Sequence, residues 1–489
     1  MNHKLISVGP LVFACFGLFA ACGDSAPTDP TGSGGSGGSG GAGTAGSGQA
    51  GGAGMPVDFV AAVSADGFAV GEGKFKLLDL SDCCAQGKSC SGNNPSSPYA
   101  AYYLPRAPGQ SAPNANEDAN GLANSYLLGK DEAVVWLGET PPKAAYFGFT
   151  DYLMSRDDGA GKRIPVFASL AETVNIGVIG VEGPADGMKF GRRTMIVHTA
   201  DAGTAERVRK AAIAAGIADV AINIAPIDAS NTKLGISAAD DALGVLFRVA
   251  LFDDDAAGQT WLNAPPAKVW RLTPSAPPAM PAPYGKATSR PKDTQNDEHP
   301  LYEAAAAELE QAIITAHSAT HTATMEAVSE GTPDPYACIA GLKTCAGDNR
   351  DTIYPATGTF LWLPKVNDFI VVHGVDHSQT GKATYANASV YALQHLVGVA
   401  SVSSKTWKGS AAKYLPNHPL VDKLFAYKIA RACNGETFCL EVPDAACPNG
   451  ISPGALASIA FRAYLEPSTN TATDPALIVP NGVLRFKAN

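Results

Sequence analysis

Short apolar runs, separated by clusters of Gly, Pro and Asp, predict strands at residues 75–80, 133–137, 145–153 and 164–170. The period then changes. Residues 194–198 (TMIVH) read as a buried strand, 204–215 as an amphipathic helix and 220–227 as a second strand. That order is a β-α-β unit, and residues 243–252, 253–263 and 267–272 repeat it. Two such units in succession predict a mixed sheet covered by helices, of ferredoxin-like type. Farther on, residues 301–328 predict one long helix rich in Ala and Glu, and strands follow at 359–363, 369–375, 383–391, 424–432, 457–465 and 482–487. Polar turns between them predict an antiparallel sheet with the helix packed on it. The expected fold class is α+β: a mixed sheet with β-α-β units, then an antiparallel sheet with a packed helix, stabilised by disulfides.

The N-terminal pattern differs. Residues 1–22 carry Lys4, an apolar run over 11–20 and the sequence Phe19-Ala20-Ala21-Cys22. The run is shorter than the roughly 20 residues that cross a bilayer, and the arrangement is that of a cleavable secretory signal. It resembles the lipobox of bacterial lipoproteins. The resemblance implies that Cys22 is acylated and becomes the mature N-terminus. Gly23 follows in place of an aspartate, which by the same resemblance implies sorting to the outer membrane. Residues 23–55 are a Gly/Ser-rich stretch with no apolar periodicity, a flexible tether with a root-mean-square reach of roughly 30 Å. The body then divides into an α/β segment over 56–273, a proline-rich linker or surface loop over 274–300 and an α+β segment over 301–489.

Composition narrows the partners. A net charge of −10 without a concentrated basic surface argues against nucleic acid. The membrane is expected to be reached through the N-terminal lipid. Leaving out Cys15 and Cys22, eight of the ten cysteines remain, and an even number in an exported chain reads as disulfides. Cys338 and Cys345 bracket a short loop and pair most simply with each other. That leaves Cys83, Cys84 and Cys90 in one trio and Cys433, Cys439 and Cys447 in another, and three cannot pair among themselves. Adjacent Cys83 and Cys84 would close a strained ring, so one of them is expected to pair with Cys90. One bridge must then join the two ends of the body.

Candidate chemistry centres on histidines. His317 and His321 stand four apart in the predicted helix, on one face, and could ligate one metal ion. The glutamate of a His-Glu-x-x-His motif is absent. His373 and His377, in a predicted strand, would be about 13 Å apart and could not share an ion. The candidate metal set is therefore His317, His321 and His377, with Asp376 beside it. The polar run Asp348-Asn349-Arg350-Asp351-Thr352-Ile353-Tyr354 precedes a strand and His377. Over residues 348–377 this order resembles an uncharacterised family of exported bacterial proteins with an Asn-Arg-Asp-Thr-x-Tyr run, a resemblance that implies no activity. Arg350 offers a planar fork for a carboxylate or phosphate and Asp351 could orient it, the alternative being an Asx-type turn. Tyr99, Tyr102 and Tyr103 could stack a sugar or another small molecule. Outside the Gly/Ser-rich tether no Gly-x-Gly-x-x-Gly motif occurs, and the Gly-x-Ser-x-Gly at residues 450–454 precedes a predicted strand and not a helix, so it is no nucleophile elbow.

Two readings follow. The first is a lipid-anchored extracytoplasmic protein with a binding or structural role and no cofactor. The second is a metal-dependent extracytoplasmic hydrolase using a divalent ion on the histidines, with Asp351, Arg350 and Asp376 as its catalytic groups. The first needs fewer coincidences. Since the anchoring energy resides in the acyl chains, Cys22→Ala is expected to move the protein from the membrane to the soluble fraction still folded, as followed by fractionation and circular dichroism. An insoluble product would reveal a second membrane contact.

Overall fold

The computed structural model describes residues 57–79 and 81–489. The signal, Cys22 and the whole tether lie outside the described residues. In the first half, α1 (Val57–Ala65) leads into β1 (Phe68–Glu72), β2 (Lys74–Leu77), α2 (Ser81–Ala85), β3 (Tyr99–Tyr103), β4 (Ala133–Glu139), β5 (Ala144–Asp157) and β6 (Arg163–Ser169). Then come β7 (Arg193–Thr199), α3 (Ala202–Ala214), β8 (Ile222–Pro226), β9 (Ala242–Phe252), α4 (Asp255–Asn263) and β10 (Ala267–Pro274). These strands build two sheets, in the orders β1-β10-β4-β7-β8 and β2-β3-β9-β5-β6.

The second half opens with α5 (His299–His317), β11 (His321–Glu326), β12 (Val328–Ser329), α6 (Pro335–Gly341), β13 (Ala356–Thr357) and β14 (Phe369–Val375). It continues with α7 (His377–Thr380), β15 (Tyr385–Ala392), β16 (Val397–Ser403), β17 (Leu424–Ala430), β18 (Cys439–Glu441), β19 (Leu456–Tyr464) and β20 (Gly482–Ala488). Its sheets run β11-β20-β14-β17-β18 and β12-β13-β19-β15-β16. This is the first half's topology over again. Even the parallel edge pair recurs, as β7 with β8 and as β17 with β18.

Sequence echoes accompany the repeat. Cys83-x-Ala-x-x-Lys88-Ser-Cys90-x-Gly92-Asn-Asn94 matches Cys338-x-Ala-x-x-Lys343-Thr-Cys345-x-Gly347-Asp-Asn349, and Tyr99 and Tyr354 follow at the same distance. Lys143-Ala-x-Tyr146 matches Lys382-Ala-x-Tyr385, and Phe247-Arg248-x-x-Leu251 matches Phe461-Arg462-x-x-Leu465. Leu251 and Leu465 share a left-handed backbone, with φ of 58° and 54°.

Each half is a two-sheet sandwich with a helix outside. In the first, Trp136, Ile196 and Val269 of one sheet meet Phe147, Phe149 and Phe247 of the other, while Phe59 of α1 and Val208 of α3 cover the outer face. Ile370, Phe425 and Val483 meet Ala388, Ile459 and Phe461 in the second, and Ala305, Leu309 and Ile313 of α5 cover Val371 and Leu484. Burying each such large side chain contributes roughly 1.5–3 kcal/mol. The inner sheets then meet through Tyr146, Ala250, Tyr385, Tyr464 and Leu465. The described residues form one compact unit. The proline-rich stretch over 274–300 is an exposed strap pinned to both halves: the Ala202 amide donates to the Ala282 carbonyl, and Arg290 donates to the carbonyls of Thr173 and Asn470.

The α+β class and the first β-α-β unit stand as expected. Other expectations are corrected. β9 and β10 lie in different sheets, so residues 243–272 are not a β-α-β unit, and sandwiches replace the ferredoxin-like sheet. The helix expected over 301–328 stops at His317, because Thr320, Thr322 and Thr324 favour an extended chain and residues 321–326 pair with β20 at its free edge.

The disulfides are Cys83–Cys90, Cys84–Cys447, Cys338–Cys345 and Cys433–Cys439. Cys84–Cys447 spans 363 residues and ties the halves together. In the loop-closure account such a bridge constrains the unfolded chain by about 6 kcal/mol. Cys84→Ser with Cys447→Ser is expected to lower the unfolding free energy by several kcal/mol, read by urea titration. Loss of less than 1 kcal/mol would contradict that account.

Candidate functional site

The Asn-Arg-Asp run is a structural wedge. It leaves the second half and enters the first. Asp348 accepts hydrogen bonds from the Ser169 amide at 2.8 Å and the Ser169 hydroxyl at 2.6 Å, and Asn349 donates to the Tyr146 hydroxyl at 3.1 Å. Arg350 Nε donates to the Ser169 hydroxyl at 3.2 Å, and its guanidinium lies 3.6 Å from Glu172. Asp351 is fully buried and accepts from Tyr146 at 2.8 Å and from Asn175 at 2.9 Å.

The three histidines do not converge: the His317 and His321 rings meet edge to face at 6.5 Å, but His377 lies apart from them. His377 is buried at 3.0 Å from Glu298, directly before α5, whereas His317 ends that helix. Nineteen residues at 1.5 Å each separate the two by about 28 Å. His321 opens β11 instead of sharing a helical face with His317. Their rings flank Phe369, at centroid distances of 4.9 and 4.8 Å, as packing partners. Asp376 caps α7, accepting from the Ser378 amide and hydroxyl. His373, buried without a hydrogen-bond partner, is pushed down to about 4 by desolvation and stays neutral.

Among the described residues, the group of His, Cys, Asp or Glu close enough to hold a metal ion is Cys83, Cys84 and Cys90, with sulfurs within 4.8 Å of one another. All three are in disulfides, so they could serve a metal ion only after reduction. The three tyrosines do not form one platform. Alternation along β3 turns Tyr102 into the first core, beside His198, while Tyr99 faces the other way. His198 pairs with Asp151 at 2.9 Å, fully buried, in a sealed and structural arrangement.

The repeat itself builds a site that none of these expectations named. Each half offers the other its Cys-x-Gly-Asx-Asn loop. The amides of Cys345 and Gly347 donate to the carbonyls of Val166 and Phe167 at 2.8 and 2.9 Å, and those of Cys90 and Gly92 donate to His395 and Leu396 at 2.7 and 2.8 Å. Tyr152 donates to the Asp348 carbonyl, and its counterpart Tyr391 to that of Asn93. Arg248 donates to the Gly347 carbonyl at 2.8 Å and Arg462 to the Gly92 carbonyl at 2.9 Å. Where the loops meet lies a cavity of about 240 Å³, lined by Arg248, Arg462, Tyr99, Tyr354, Gly92 and Gly347. Both arginines are at least nine-tenths buried, and each has one terminal nitrogen, Nη1, without a hydrogen-bond partner. The sequence signal that could have revealed this site is the twofold Phe-Arg-x-x-Leu, legible only once the halves are aligned.

Burial pushes the Asp351 carboxyl up to about 7, against the hydrogen bond from Tyr146 and the charge of Arg290. Between its ordinary 3.8 and about 7 the folded chain therefore holds a proton that the unfolded chain has released. This contribution to stability is complete below that window and is lost as the pH rises through it. The pH dependence of urea unfolding should accordingly be flatter for Asp351→Asn than for the unaltered chain between pH 4 and 7. Parallel curves would place the titration elsewhere.

No protein-family model and no curated protein matches the chain. Two solved chains match, among them the crystal structure of an uncharacterised protein from Burkholderia cenocepacia, with 12% identity and a TM-score of 0.38, covering 88% of this chain and 87% of that one.

Proposed function

We propose that this protein is a lipid-anchored, extracytoplasmic binding protein, held at the outer membrane through Cys22, whose ligand occupies the cavity between its two halves. The observation that carries the reading is the pair of buried arginines lining one cavity, each with an unpartnered Nη1. Burying a charged donor without a partner is costly, so such groups mark places where an incoming molecule completes the hydrogen bonding. The long inter-half disulfide and the reciprocal loops favour a preformed site, which lowers the ordering cost of binding. Among the described residues no histidine lines the cavity, which favours binding over general acid–base catalysis. A divalent ion enters this reading only for the reduced chain, at Cys83, Cys84 and Cys90.

Ser89 is exposed at the cavity wall, so a bulky side chain there blocks entry without disturbing the core. Thermal unfolding of the full chain carrying Cys22→Ala, against a panel of charged and neutral small organic molecules, is expected to find compounds that raise Tm. Ser89→Trp is expected to abolish their effect. A panel with no active compound, or compounds that stabilise both forms equally, would contradict the reading.

A further inference from the structure

We infer that the cavity takes a small organic molecule with two anionic groups, one for Arg248 and one for Arg462. The inference rests on the proposal that the cavity is a binding site, and adds the chemistry of the ligand. Arg248 is 3% exposed and Arg462 5%, and an arginine keeps its charge at any pH the protein meets. What surrounds them is largely neutral. Arg248 stacks on Tyr99 and Tyr152, each 5.4 Å from its guanidinium carbon. Arg462 stacks on Tyr354 at 5.4 Å and Tyr391 at 5.6 Å. Each has one carbonyl on Nη2 and nothing on Nη1. Tyrosine faces and single carbonyls orient a guanidinium without neutralising it.

Asp348, a carboxyl group nearby, does not fill the deficit. Asp348 has its carboxylate oxygens engaged by Ser169, and burial raises it towards its neutral form. Asp79 also lines the cavity wall, just before α2. The two guanidinium groups thus form a bidentate-capable pair in a low-dielectric space, suited to carboxylates.

Repetition sets the valence. The arginines are equivalent by the internal repeat and are presented by equivalent strands, β9 and β19, so the ligand they fit carries two like groups. Size and wall chemistry set its body. A cavity of about 240 Å³ is smaller than the pockets of drug-sized ligands, and Leu246, Val245, Met154 and Phe167 give it apolar walls. The geometry points to a compact diacid with a hydrocarbon body.

Isothermal titration calorimetry on the full chain carrying Cys22→Ala tests this with succinate, adipate, terephthalate, the terephthalate monomethyl ester, the neutral diamide and inorganic phosphate. At least one diacid is expected to bind. The monoester should bind at least tenfold more weakly than terephthalate if terephthalate is the diacid that fits, and the diamide not detectably. Arg248→Gln and Arg462→Gln should each weaken the best diacid at least tenfold and by similar factors, with thermal unfolding showing that they fold. Should either variant fail to fold, the comparison of ligands on the unaltered arginines decides alone. Absence of binding by every diacid, phosphate binding more tightly than any of them, a diamide as tight as the diacid, or folded arginine variants of full affinity would each overturn the inference. Neutral compounds that stabilise the protein and are blocked by Ser89→Trp would leave the cavity a binding site while removing the diacid.

Discussion

The structure depends on an exchange of backbone between its halves. Each half presents a stretch of backbone, Val166-Phe167 within β6 and His395-Leu396 in the turn between β15 and β16, and each receives there the Cys-x-Gly loop of the other. Phe167 and Leu396 adopt left-handed backbone, with φ of 39° and 46°, so a carbonyl at each stretch faces the incoming loop. The loops must in turn come close. A Cβ on Gly347 would stand 2.5 Å from the Phe167 ring, and φ of +73° there also favours glycine. Each disulfide, Cys83–Cys90 and Cys338–Cys345, closes the loop just before its inserted segment and limits the entropy lost on docking.

From that exchange the buried polar interior follows. A loop inserted between sheets brings carbonyls and carboxyls out of water, and these must be satisfied. Arg248 and Arg462 serve the carbonyls of Gly347 and Gly92, Tyr152 and Tyr391 serve the next residue along, and Tyr146 serves Asp351. The same arginines are left with spare donors at the junction. A stabilising device built twice by duplication therefore yields a twofold charged cavity.

Much of this fold was legible in the chain. Residues 369–375 are a strand as expected because FIVVHGV is apolar almost throughout and buried on both faces. Cysteine parity fixed the bridge between the ends of the body, because each trio leaves one cysteine over. What periodicity could not convey was pairing between distant segments. β9 and β10 look like consecutive strands of one sheet, yet they part into two layers, a choice made by tertiary packing. Histidine spacing misled for a related reason: His317 and His321 are four apart in sequence, but the helix ends between them. The site was hidden because neither arginine sits in a charged cluster. Each is a lone cation in an apolar strand, and only the alignment of Phe247-Arg248 with Phe461-Arg462 makes them a pair.

If the reciprocal loops hold the halves as one body, their backbone amides should be as protected as the central strands. Native-state hydrogen exchange, resolved at Cys90, Gly92, Cys345 and Gly347, measures this directly. The account predicts that these four amides open only with global unfolding, at the free energy of β4 and β14. Exchange of the loops at a much lower free energy, or two separate opening events for the two halves, would contradict it.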